Sequence, residues 1–154
     1  MRHNNLSNKR TGVTLLEIML VLALAAMVII LSVRYYTTST SFREANDLLS
    51  KISAITAAAD TIAGPTSSYT GVTRQSVVDL VSENSMTTPW GGAIGFTVDS
   101  ARSYTVSIPG VPSVTCNKIR SNLSANPHFP TASMSACAAA GQSADFSYTY
   151  QADV

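Results

Sequence analysis

A single carboxylate interrupts an otherwise apolar stretch near the N-terminus of this chain. From Val13 to Val33 the residues VTLLEIMLVLALAAMVIILSV are apolar except for Thr14, Glu17 and Ser32. A carboxylate one turn into a lipid-soluble helix costs a few kcal/mol, and ionisable groups in such places have partners. Glu17 therefore requires a cation from outside its own segment. No other residues make a comparable pattern. His3 and His128 are isolated, Cys116 and Cys137 are too far apart for a CxxC pair, and no zinc-ligand spacing occurs. Of the nine Asp and Glu residues, Glu17 belongs to the apolar run and the rest are scattered, so no paired acid and base emerge. The expectation is a chain with no cofactor, no metal and no catalysis. Asn5-Leu6-Ser7 and Asn122-Leu123-Ser124 fit the glycosylation triplet, a pattern short enough to arise by chance.

The elements that must position Glu17 follow from the pattern around it. A helix over Val13–Val33, rising about 1.5 Å per residue, is long enough for a hydrocarbon core of about 30 Å. Arg2, Lys9 and Arg10 precede it and favour the cytoplasmic side, with the C-terminal part translocated. Without those three cations the formal charge of +1 becomes −2. An ordinary secretory signal fits poorly, because the run exceeds a typical h-region and Ser32, Arg34, Tyr35 and Tyr36 offer no small-residue cleavage site. A plain signal anchor leaves Glu17 unexplained, and a buried soluble helix would not be so uniformly apolar.

Neither Gly nor Pro occurs from Val13 to Ala63, so the helix is expected to continue beyond the apolar run. Ala45, Leu48, Ile52, Ile55, Ala59 and Ile62 recur at spacings of three and four and form one apolar stripe. Arg43, Asp47 and Lys51 lie off it at i,i+4 and read as a solvated, mutually paired face. Gly64-Pro65 is a strong stop. From there the chain turns to Ser, Thr, Gly and Pro with short β-like runs. A helix is expected near Arg74–Glu83 with Val77, Leu80 and Val81 inward. Strands are expected at Ala93–Asp99, Ser103–Ile108 and Phe146–Gln151, with a small helix at Ser113–Asn122. Pro109-Gly110-Val111-Pro112 is read as a break, and Trp90 as core with glycines Gly91 and Gly92 in a turn. With 154 residues, 12% charged and 45% hydrophobic, the chain has room for one modest head and no broad basic surface for nucleic acid. An exported head would join Cys116 to Cys137, whereas a reducing compartment would leave two buried thiols.

The junction Lys9-Arg10-Thr11-Gly12 before Val13-Thr14-Leu15-Leu16-Glu17 resembles the processing site of type IV prepilins: a short basic leader ending in Gly, then an apolar helix with Thr second and Glu fifth. The resemblance is closest to the type IVb subclass, because the mature chain would begin with Val13. It implies cleavage between Gly12 and Val13 by a prepilin peptidase, methylation of the Val13 amine, and subunit assembly through Glu17 and Thr14. In the family's assembly model the Val13 amine of one subunit pairs with Glu17 of a neighbour. Pro89-Trp90-Gly91-Gly92 resembles the turn opening the head sheet of type IVb-like pilins, and Cys116 with Cys137 stands where those heads have a disulfide-bounded region. Closing such a loop of about twenty residues contributes about 3 kcal/mol in the chain-entropy model.

The resemblance thus implies an α+β fold, a long N-terminal helix packed on a small antiparallel sheet with one disulfide. Its parts are a leader (1–12), a transmembrane or filament-core half-helix (13–33), an amphipathic half (34–64) and a head (65–154) with the bounded region 116–137. It implies a pilus subunit made in the inner membrane, then extracellular. Its partners would be further copies in a helical filament, an inner-membrane assembly platform and ATPase, and an outer-membrane secretin. The filament would serve adhesion, aggregation or conjugation. A minor pilin or pseudopilin of a type II secretion-like system is one alternative. An uncleaved membrane-anchored adhesin is the other.

Overall fold

The computed structural model describes residues 13–66 and 68–152; the expected leader 1–12, with Gly12, lies outside them. The described elements are helices α1 (Leu15–Ala63), α2 (Arg74–Val81) and α3 (Ser113–Leu123) and strands β1 (Gly95–Ser100), β2 (Ser103–Pro112) and β3 (Ser143–Gln151). Short 3-10 turns occupy Gly64–Thr66, Glu83–Met86 and Thr131–Ser133. The fold is α+β, a long N-terminal helix with a three-stranded antiparallel sheet in the order β1-β2-β3. The described residues form two compact units that divide between Thr38 and Ser39.

The second unit is built on the C-terminal half of α1. Ala45, Leu48, Ile52, Ile55 and Ala59 of the expected stripe are buried, joined by Ala58 and Ala63, while Ile62 is half-buried against the same core. Gly64 ends the helix at φ +64, a left-handed conformation that costs glycine little, and Pro65 cannot extend it. The facing sheet contributes Phe96, Tyr104, Val106, Ile108, Phe146, Tyr148 and Tyr150, alternate residues of each strand as the period of two requires. The ring of Tyr104 stacks on Tyr150 at 5.0 Å and meets Tyr69 edge-on at 5.0 Å.

Three local expectations are corrected. Leu80 is 53% exposed, and Val78 takes its place beside Val77. Helix α2 has only eight residues, capped at Thr73 by a reciprocal bond with Ser76, and its buried face runs through positions 77, 78 and 81. The Pro109–Pro112 segment does not break the chain but lies inside β2, as an irregularity between the pairs Ile108↔Phe146 and Val111↔Ala144. Pro109 has no amide to donate, and Gly110, at φ +65, gives its N–H to Asp145 Oδ1 at 2.9 Å. Lys51 is not solvated. Its side chain is 14% exposed, pairs with Asp47 Oδ2 at 3.1 Å and donates to the Thr87 carbonyl at 2.7 Å, whereas Arg43 stays exposed.

The outer edge of β3 is covered by the segment that follows α3. Ser135 N–H donates to the Ser147 carbonyl at 2.9 Å, Ser147 N–H to Ser135 Oγ at 2.8 Å, and Gln151 N–H to the His128 carbonyl at 2.9 Å. Phe129 and Met134 are buried beneath this segment. A cysteine disulfide, Cys116–Cys137, ties it back to α3. Covering an edge strand removes a template for unwanted strand pairing.

Burial raises the phenols of Tyr104, Tyr148 and Tyr150 above their usual range, and burial together with the Asp60 bond raises Tyr69. The unfolded chain then loses these protons first as pH rises, so the stability they confer is complete below about pH 10 and is lost above it. Thermal melts from pH 8 to 12 are expected to show Tm falling steeply only above about pH 10, with phenolate absorbance rising together with unfolding. The Tyr148 hydroxyl is buried and has no hydrogen-bond partner among the described residues. Tyr148→Phe is therefore expected to leave stability unchanged or raise it by about 1 kcal/mol in denaturant titrations, whereas Tyr104→Phe, which removes a bond to Thr56 Oγ1, is expected to lower it.

Candidate functional site

The chemistry singled out in the sequence lies at the first turn of α1. Thr14 precedes the helix, and its hydroxyl accepts from the Glu17 N–H at 3.3 Å while its carbonyl accepts from Glu17 and Ile18 at 3.0 and 3.2 Å. Thr14 is thus the N-cap and Glu17 stands at the third helical position, where a carboxylate also complements the positive end of the helix dipole. The spacing of Thr14 and Glu17 has a local structural reason as well as the one the family resemblance implies. The Glu17 side chain is exposed, and among the described residues no cation pairs with it.

The surroundings of Glu17 make this arrangement unusual. Every large apolar side chain from Val13 to Val33 is 49–79% exposed. The most apolar 18-residue window of α1 has a mean hydropathy of 2.8 and none of it is buried. By length and composition this part of the helix can cross a membrane. A carboxylate and an apolar cylinder left uncovered by the other described residues therefore share the N-terminal half of α1. That arrangement carries no acid–base or nucleophilic constellation; what it can do is pair with a cation in an apolar setting.

Elsewhere the remaining residues hold structure. His128 Nδ1 lies 2.7 Å from the Gln151 carbonyl and its ring stacks on Tyr150 at 5.4 Å, fixing the segment over β3. Among the described residues no group of three His, Cys, Asp or Glu side chains could hold a metal ion. Trp90 is half-buried at the edge of the core, and its Nε1 donates to the Pro109 carbonyl at 2.8 Å, clamping the β2 irregularity. The sequence reading missed the bond from Tyr69 Oη to Asp60 Oδ1 at 2.6 Å. An acidic residue in the last turn of a helix that has no basic residue there was the available signal.

No protein-family model matches this chain, and neither does any curated protein or solved structure.

Proposed function

We propose that the chain is the precursor of a type IV pilin, most like the type IVb subclass, trimmed after Gly12 and polymerised into an extracellular bacterial filament. The observation that carries the reading is Glu17: an exposed carboxylate four residues after Val13, in an apolar half-helix whose large side chains are exposed among the described residues. Cleavage would create an ammonium at Val13, and that group on a neighbouring copy supplies the cation Glu17 lacks. A buried ion pair adds little net stability, but a carboxylate left unpaired is severely unfavourable, so the pair acts on register. The head, closed by Cys116–Cys137, supports the reading as a module able to withstand export to an oxidising compartment.

In this reading the precursor sits in the inner membrane with its leader cytoplasmic and its head periplasmic. A prepilin peptidase trims it, an assembly platform with its ATPase extrudes it, and a secretin passes the filament outward. Adhesion, aggregation and conjugation are served by the same scaffold, with specificity in exposed head loops. Glu17→Ala is expected to leave membrane insertion and the head disulfide intact while cutting sheared filament yield more than tenfold. Wild-type filament yield from the variant would overturn the role given to Glu17.

A further inference from the structure

Asp60 is an unbalanced charge on the head. The second half of α1 carries three carboxylates, and two are engaged by neighbours: Asp47 pairs with Lys51, and Glu44 accepts from the Thr115 hydroxyl at 3.5 Å. Asp60 is bound only by a neutral phenol, Tyr69, at 2.6 Å, and among the described residues no cation pairs with it. It also stands in the last turn of α1, where the partial negative charge of the helix end disfavours a carboxylate and no basic residue offsets it. The Tyr69 bond holds one carboxylate oxygen in place and leaves the other open to a partner. Asp60 itself lines a groove of about 280 Å³, together with apolar residues such as Leu49, Ile52 and Phe129 and the polar Ser53, Thr56 and Asn126, so a cation arriving there finds both apolar and polar contacts for the residues next to it.

Arg34 has the complementary defect. It follows directly on the apolar run, is exposed, and has no ion-pair partner among the described residues. When neighbouring copies cover Ile30 and Val33, Arg34 is drawn toward the same contact, and an uncompensated guanidinium there is strongly unfavourable. Of the described cations in the second unit, Lys51 is engaged by Asp47, Arg74 by Glu83 and Lys118 by the Phe42 ring, and Arg102 has an interaction of its own. We infer that Arg34 of one copy docks on Asp60 of another, with the apolar residues preceding Arg34 seated in the groove beside it. This inference rests on the filament reading and adds a second charged contact, at the opposite end of the apolar segment from Glu17. A guanidinium, with several N–H donors in one plane, is well suited to the open oxygen of a carboxylate already oriented by Tyr69.

The test uses the full chain expressed with its assembly system. Asp60→Arg and Arg34→Asp are each expected to lower filament yield at least tenfold at unchanged membrane levels of the subunit, and the two together to regain at least half of it. Arg43→Asp, on the head surface, is expected not to rescue Asp60→Arg. Because both native cysteines are bonded to each other, co-expressed Arg34→Cys and Asp60→Cys copies give a second readout: an arginine–carboxylate pair holds its Cα atoms farther apart than a disulfide allows, so a bifunctional maleimide with a short flexible spacer is expected to yield a cross-linked dimer that neither copy gives alone. Normal filaments from either single reversal, no gain from the double reversal, or no cross-linked dimer would each overturn the contact. A wild-type chain that never polymerises would instead sink the pilin reading itself.

Discussion

A carboxylate that must find its cation outside its own segment is the constraint on which the rest of this account depends. Apolar helices gain little by leaving lipid for one another, because the lipid tails are as apolar as leucine. The run from Val13 to Val33 can therefore be covered equally well in many registers. Glu17 removes that degeneracy, since only registers that bring a cation to it avoid a large penalty. In the proposed filament, removing residues 1–12 supplies such a cation at Val13 on every copy at once, which would link processing chemically to assembly.

The head obeys a different logic, with the second half of the same helix as its scaffold. Its stripe from Ala45 to Ala63 meets the aromatic face of the sheet, and polar links fasten the periphery: Lys51 to Thr87, Trp90 to Pro109, Ser135 to Ser147. The disulfide ties the segment over the β3 edge back to α3, and in the chain-entropy model is worth about 3 kcal/mol. A small core benefits from such a staple.

Periodicity made the architecture legible. The three-and-four spacing from Ala45 to Ile62, the Gly64-Pro65 stop and the alternation of Phe146, Tyr148 and Tyr150 each reflect local rules that tertiary context left intact. The misreadings occurred where tertiary partners override local preference. Pro109 and Gly110 look like a break until Asp145 and Trp90 satisfy the irregular backbone, and Lys51 looks solvated until the Thr87 carbonyl is placed above it. The Asp60–Tyr69 bond joins a helix end to a loop nine residues on, which no periodic pattern records. At the candidate site, residue types were readable, while the N-cap bond of Thr14 and the exposure of the apolar side chains required coordinates.

The central claim is that residues 1–12 are removed and that the new terminus serves assembly. Intact-mass and N-terminal fragment spectra of the chain recovered from cells that express its own assembly system test it directly. The account predicts a chain beginning at Val13 with a methylated amine and the Cys116–Cys137 bond retained. A chain that still begins at Met1, in cells whose prepilin peptidase is active, would contradict it.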